Sequence, residues 1–523
     1  MPSAPVVFWE RNKERIFVAA FSLLLFYSFV RAIFKAATRL LWYDELCTWI
    51  VAMQPGLLSI WHALMRAADS HPPPYYAIEK FFGSLIHNEQ IAFRLPSILG
   101  FCVVELCLFL WVKKCHNAAT AFVASLIPLM TPLYSTYAVE ARPYCVLAAC
   151  LSVAMLGYQR ATSRFWILVL ALSLFAAECS HYYAVFMLIP FFGAETLYLL
   201  KTKCIRWAVW ISLCAGFVPL LVCWPLLMRF KAHYLGTIWY GQSTLIGTLR
   251  VYAWLFGVSY AAPNSGILEK TVVVLLTFAI AFAATLLLYR SFRKNSAQKA
   301  GFHEDVLVAG ILLCPLIMFL ATKISHTGLM PRYMLPATIG VAIVFGYGLS
   351  FFSRKIFVLV GALLFANFAV QEAGFWFDFY QNYQLGFVTT WPAVQLLRPA
   401  NHVNLPVVVS EGHDYLELAH YAPPTQRERF VFLAAAAAAA KYHRPDTNDK
   451  ELLILRDLAP LQVFEYEKFK QSHSEFLLFS DPTPENDPDW FADWLTADGW
   501  SLQKVATDNH SAIFFVTSKA KTH

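Results

Sequence analysis

Two adjacent carboxylates, Asp44 and Glu45, follow directly on the first long apolar run of this chain. Neither lipid nor an apolar core welcomes charge at such a place, so the pair is a candidate for chemistry. A carboxylate within hydrogen-bond reach can take the proton of an incoming hydroxyl or amine. Further unusual polar residues stand at later breaks between apolar runs: His71, Glu140, Arg142, His181, His326 and Arg332. Arginine suits a phosphate group, because its guanidinium offers a planar fork of donors and stays ionised. A base, phosphate-binding cations and a cavity open to lipid fit transfer from a lipid-phosphate donor.

Each of these residues also has a plainer reading. Asp44-Glu45 could cap a helix. Glu140 and Arg142 could form a structural ion pair, and His71, which precedes three prolines, could only shape a turn. Arg332 could be a snorkelling anchor at a helix end. His181 and His326 could join the carboxylates on zinc, but no HxxxH or HExxH spacing supports this. No cofactor is required by the sequence. A divalent metal bridging carboxylate and phosphate stays open, with Asp44 and Glu140 as the residues to hold one if it is used.

The elements that must position these residues are membrane helices. The chain of 523 residues is 58% hydrophobic and 14% charged, with a mean hydropathy of +0.51. Long apolar runs separated by short basic clusters read as a polytopic α-helical membrane protein. The net charge of +7 reflects those clusters. Nucleic-acid binding is excluded as a reading, because the Lys and Arg residues punctuate apolar runs instead of forming a basic face. Most of the eleven cysteines lie inside apolar runs and read as small core residues, with Cys47 as a loop exception.

Taking the basic clusters as cytoplasmic predicts about eleven spans. They lie near 16–34, 95–112, 118–136, 144–159, 165–179, 182–200, 207–227, 270–289, 305–322, 333–352 and 356–372. The stretch 245–262, interrupted by Arg250 and Gly257, reads as re-entrant or interfacial. The first outer loop, 36–94, is expected to carry short interfacial helices within a membrane domain of residues 1–390. From Trp391 the composition turns mixed polar, and short apolar runs predict a small extracytoplasmic α/β domain over 391–523. Ala434–Ala440 is low-complexity and helix-favouring, with no functional reading. This topology puts the N-terminus in the cytoplasm and Asp44, Glu45, His71, Glu140, Arg142, His181, His326 and Arg332 together on the outer face. That face is periplasmic if the membrane is a bacterial inner membrane, and lumenal in a eukaryotic endoplasmic reticulum.

Several of these residues sit in motifs. His71-Pro72-Pro73-Pro74-Tyr75-Tyr76, Phe93-Arg94-Leu95-Pro96-Ser97, Glu140-Ala141-Arg142-Pro143-Tyr144 and His181-Tyr182-Tyr183 resemble glycosyltransferase family 39 of the GT-C superfamily. That family includes the protein O-mannosyltransferases and the transferase that adds aminoarabinose to lipid A. Arg332-Tyr333 with Leu335-Pro336 resembles a later motif. The resemblance covers roughly residues 40–200 and 325–340. It implies a GT-C-like transferase that takes a sugar from a polyprenyl-phosphate carrier and inverts its anomeric centre in one displacement. It implies Asp44 as the base beside Glu45, with Glu140 and Arg142 lining the site. His71, Arg94, His181 and Arg332 become candidates for the donor phosphate or the site's architecture. Two departures stand out: some relatives have more than eleven spans, and the C-terminal domain carries no distinguishing motif, so the acceptor is open.

A reading from a different class is a multi-pass transporter or flippase, for which Glu105 and Glu178, in mid-span, are the main support. Most of the singled-out residues lie at one face and no repeated half is visible, which favours the transferase. A third reading makes the membrane part only an anchor for the C-terminal domain; the motif residues within the membrane part argue against it.

Overall fold

The computed structural model describes residues 4–237, 244–255, 267–293, 301–325, 328–384, 404–442, 444–481, 490–507 and 511–518. Its helices, in chain order, begin with α1 (Ala4–Ala37), α2 (Tyr43–Ala52), α3 (Leu57–Met65), α4 (Pro73–Leu85), α5 (Glu89–Cys115) and α6 (Ala118–Met130). Then come α7 (Pro132–Tyr137), α8 (Tyr144–Gln159), α9 (Arg164–Ser180), α10 (Ala184–Thr202), α11 (Trp207–Ala215) and α12 (Val218–His233). The helical part closes with α13 (Leu245–Leu255), α14 (Ile267–Arg293), α15 (Phe302–Leu312), α16 (Cys314–Ser325), α17 (Ala337–Leu349) and α18 (Arg354–Gln384).

Local chemistry explains where these helices start. The Asn88 and Asn117 side chains accept the N–H groups of Ile91 and Thr120, capping α5 and α6 at 2.9 Å each. The triple proline gives α4 its first residues, where a missing N–H costs nothing.

The chain forms two compact units that do not follow sequence order. The first comprises Met1–Arg39, His71–Trp224 and Gly241–Gln381; the second comprises Leu40–Ser70, Pro225–Tyr240 and Asn382–His523.

The first unit is helical. All eleven stretches expected to span are helical, but among the described residues six helices are long and apolar enough to cross a membrane, or seven with the bent pair α15–α16. The protein is thus a multi-pass membrane protein, and the described residues do not by themselves make up the expected eleven full spans. Helix α6, with 13 residues, and α17, with 13, reach only about 20 Å, short of the roughly 30 Å hydrocarbon layer. Prolines make the difference. Pro132 starts a new helix after extended Thr131, and the α15–α16 pair bends by 60° just before Pro315. Where α5 meets α8 the backbones come so close that a Cβ at Gly100 would lie 2.8 Å from the Cys145 carbonyl oxygen. Large exposed apolar side chains such as Leu23, Phe26, Phe278 and Phe282 lie along α1 and α14, as lipid-facing surfaces require. Of the suspected re-entrant stretch, α13 is helical and its continuation from residue 256 lies outside the described residues.

The second unit holds a six-stranded sheet of order β3-β2-β1-β4-β6-β5. Strands β1 (Val407–Val409), β2 (Phe430–Ala434), β3 (Val463–Glu465) and β4 (Glu475–Ser480) run parallel. The hairpin β5 (Trp500–Thr507) and β6 (Ala512–Ser518) adds on antiparallel. Its helices are α19 (Gly412–Tyr421), α20 (Pro424–Arg427), α21 (Ala436–Lys441), α22 (Thr447–Leu455), α23 (Tyr466–Ser472) and α24 (Trp490–Ala497). The alanine run supplies the end of β2 and helix α21. The short loop helices α2 and α3 belong to this unit, and α2 packs on α19. Cys47, expected in a loop, is buried on α2.

Candidate active site

In the first unit, four segments bring their motif residues into one buried cage. His71, at the entrance of α4, has its ring 5.2 Å from that of His181 and 6.2 Å from Tyr144. His181, at the end of α9, lies 5.0 Å from Tyr333, and Tyr183 lies 4.6 Å from Tyr333. Tyr75 and Tyr76, on the first turn of α4, complete the aromatic wall at 5.9 and 6.4 Å from His71. The guanidinium of Arg332 sits 5.6 Å above the Tyr144 ring and 6.0 Å from Tyr333, a cation held against π faces.

The His181 Nδ1 accepts the N–H of Tyr183 at 3.1 Å. In the neutral imidazole this leaves the proton on Nε2, which is therefore the donor. Tetrahedral phosphate oxygens are well served by such a set of imidazole, phenol and guanidinium donors.

Glu140 and Arg142 stand on the tight turn before α8, where the Arg142 N–H donates to the Glu140 carbonyl at 2.8 Å and the Ser97 hydroxyl to the Arg142 carbonyl at 2.8 Å. Both side chains are buried. The charges of Glu79 and Arg142 both act on the Tyr75 hydroxyl. Burial, with Glu79 next, pushes the Tyr75 phenol well above its ordinary value, so it stays a protonated donor.

Glu79 was not legible as a site residue. It is fully buried on α4, four residues after Tyr75 and just beyond the HPPPYY segment, and only that spacing could have pointed to it.

Arg94 has a different placement. Its side chain is fully buried on α5 and donates to the carbonyls of Ala36 at 2.8 Å and Arg39 at 2.6 Å, at the C-terminal end of α1. Those carbonyls lack intrahelical partners, so a guanidinium there satisfies them and complements the helix dipole. Arg94→Met is expected to lower stability by roughly 2–3 kcal/mol and to leave donor affinity within twofold. Thermal unfolding in detergent and a donor-binding assay below the transition check both.

Asp44 and Glu45 belong to the second unit, on the first turn of α2. Glu45 is fully buried, and its carboxylate accepts the Trp42 N–H at 3.2 Å, the reciprocal half of a capping box. The capping reading thus holds for Glu45, and Asp44 stands beside it on the same first turn of α2. Around them α19 contributes His413, Asp414 and Glu417, and α22 contributes Glu451, which accepts from the Tyr43 hydroxyl at 2.8 Å.

The second unit is rich in buried acid. Burial, then Asp414 and Glu45, pushes Glu417 up to about 8. Burial, then Asp481 and Glu411, pushes Asp414 up to about 7, and burial raises Asp449 to about 7. A carboxyl whose folded value is raised holds its proton more tightly when folded. Its contribution is full below the unfolded value near 4 and is lost as pH rises through about 7–8. The melting temperature of this unit is therefore expected to fall between pH 5 and pH 8.5. Glu417→Gln should flatten that slope, by roughly 5 °C across the range, in a pH series of thermal scans.

Among the described residues no group of three or more His, Cys, Asp and Glu side chains is arranged to hold a metal ion. His326 lies outside the described residues. Glu105 and Glu178, the mid-span carboxyls, are buried on α5 and α9.

Comparison with known proteins bears on the fold. Residues 70–228 match the family described as dolichyl-phosphate-mannose-protein mannosyltransferase. Among solved structures, ArnT from Cupriavidus metallidurans in the apo state is similar over 95% of this chain and 98% of its own, at 13% identity and a TM-score of 0.53. The same protein bound to undecaprenyl phosphate is similar over 96% and 97%, at 14% identity and a TM-score of 0.51. No curated protein matches the chain in sequence. The chain therefore has the fold of ArnT, and through residues 70–228 it is similar to the family described as dolichyl-phosphate-mannose-protein mannosyltransferase.

Proposed function

We propose that the protein is an inverting glycosyltransferase that moves a sugar from a polyprenyl-phosphate donor to an acceptor at the outer face of the membrane. The observation that carries this reading is the buried cage of His71, Tyr144, His181, Arg332 and Tyr333. It offers cationic and neutral donors against aromatic faces, which suits a phosphate joined to a sugar. That a protein of the same fold is found with undecaprenyl phosphate supports the choice of carrier.

In this reaction Asp44 takes the proton of the acceptor hydroxyl or amine. The acceptor atom bonds to the anomeric carbon from the face opposite the phosphate. The bond from that carbon to the phosphate oxygen breaks with its electron pair, and polyprenyl phosphate departs. Arg332, Arg142 and the two imidazoles offset the charge that grows on the leaving phosphate, which lowers the barrier because those donors are already in place. Glu140 lines the same turn as Arg142.

The test uses purified full-length protein in detergent with radiolabelled polyprenyl-phosphate sugars, following release of polyprenyl phosphate. Turnover of at least one donor supports the reading. If no donor in a broad panel binds or turns over, the transferase is wrong and a transporter takes its place.

A further inference from the structure

Helices α1 and α5 run antiparallel in the first unit, and both are long and apolar enough to cross a membrane. Contacts at three heights fix their register. Lys113 meets Glu14 at 3.0 Å, the Phe21 ring stacks on Phe109 at 4.1 Å, and Ala32 and Ala36 pack with Ile98. Along one side the two helices leave a cleft of about 460 Å³. Val18, Ser22, Leu25 and Phe29, spaced by four, three and four on α1, face Leu106 and Lys113 of α5 across it.

The cleft is apolar along its length and cationic at one end. The Ser22 hydroxyl is spent on the Val18 carbonyl at 3.0 Å, which leaves Lys113 as the polar group at the mouth. From Val18 to Phe29 helix α1 rises about 17 Å, close to the roughly 15 Å that one leaflet contributes to the hydrocarbon layer. One acyl chain lying in a leaflet matches that length. Around the mouth stand Lys13, Arg15 and Lys114, all exposed, with Glu14 as the acid among them. The Lys113 ammonium has three donors, and its pair with the exposed Glu14 is of the kind that contributes little, so a phosphate can share or replace that partner.

This mouth lies away from the cage. The Ser97 hydroxyl bonds the Arg142 carbonyl just before α8, and the Lys114 ammonium bonds the Gln159 carbonyl at the last residue of α8. Helices α5 and α8 thus run side by side in the same direction, and Lys113 stands about one α8 length, roughly 24 Å, from the turn that carries Arg142. A carrier lipid whose phosphate sits in the cage cannot also place it at Lys113.

We infer that this cleft is a second lipid site, separate from the donor's. It seats one acyl chain of an anionic phospholipid in the leaflet away from the cage, with the lipid phosphate at Lys113, and so fastens α1 to α5. The inference does not depend on Asp44 or on the reaction.

The experiment takes the full-length protein, stripped of lipid in detergent, with dioleoylphosphatidylglycerol as the probe and dioleoylphosphatidylcholine as its chain-matched neutral control. Native mass spectrometry gives the Kd of the first bound lipid, and thermal unfolding gives the shift. Phosphatidylglycerol should bind about fivefold tighter than phosphatidylcholine and raise the melting temperature by about 2–4 °C at ten times its Kd. Lys113→Gln should weaken phosphatidylglycerol about fivefold, to the level of the neutral lipid. Glu14→Gln breaks the same ion pair but releases the ammonium, so it should bind phosphatidylglycerol at least as tightly as wild type. Ser22→Phe fills the cleft and should weaken both lipids about tenfold.

Equal binding of the two lipids overturns the proposal, because a greasy surface without a head-group contact then explains it. So do equal losses in Lys113→Gln and Glu14→Gln, which would trace the effect to the ion pair. Unchanged binding in Ser22→Phe puts the lipid elsewhere and overturns it as well. If Ser22→Phe does not fold, Leu106→Trp, at an exposed position of the same cleft, carries that arm. One-for-one displacement of phosphatidylglycerol by undecaprenyl phosphate would give the cleft to the carrier chain and also overturn the inference. None of these variants lies in the cage, so a failure here leaves the transferase reading standing.

Discussion

Asp44→Asn is expected to lower kcat by about 10³-fold while donor binding and melting temperature stay near wild type. Asparagine keeps the shape of the side chain and its place on the first turn of α2, and takes away only the ability to accept a proton. The acceptor must then lose its proton to water, at the cost of most of the general-base contribution. Glu45→Gln should behave differently. Its carbonyl oxygen can still accept the Trp42 N–H, so the expected loss is about 0.5–1 kcal/mol of stability and a severalfold change in kcat at most. Release of polyprenyl phosphate under single-turnover conditions measures the first effect, and equilibrium donor binding shows that it lies in the chemical step. A large kcat loss in Glu45→Gln with an active Asp44→Asn would reverse the two roles.

Arg332→Ala is expected to raise the donor KM by about 10–100-fold, the equivalent of one or two charge-assisted hydrogen bonds to phosphate. The guanidinium lies over both the Tyr144 and Tyr333 rings, so its fork is already oriented before any ligand arrives. Lysine supplies the charge without the planar fork, and Arg332→Lys should recover only part of the affinity. If alanine leaves donor KM unchanged while lowering the melting temperature, Arg332 serves the packing of the aromatic wall instead. Both variants are read in one titration of donor against rate.

Much of the membrane part was legible because its signal is local. Each of the eleven apolar runs became helix, and of the residues expected at one face, His71 and His181 stand close together beside Tyr144, with Arg332 over the same tyrosine ring. Span length was not legible, because hydropathy does not register the breaks at Pro132 and before Pro315. Arg94 shows a different limit. An arginine in a motif reads as a ligand for phosphate until the end of α1 is seen to need donors of its own. Glu79 went unseen for the opposite reason, since an acidic residue on an amphipathic helix usually faces water. The partnership of Tyr43 with Glu451 spans more than four hundred residues, and no local pattern carries such a pairing.

The make-up of the second unit bears on how such proteins can be recombined. Residues 40–70, 225–240 and 382–523 form one body, and Asp44 rides in it. A chimera that exchanges only the C-terminal segment between two relatives would graft a foreign partner surface onto a resident α2, breaking the matches of Tyr43 with Glu451 and of Trp49 with His420. Helix α2 and the surface that holds it are therefore inherited together. A working exchange has to carry all three segments as a set.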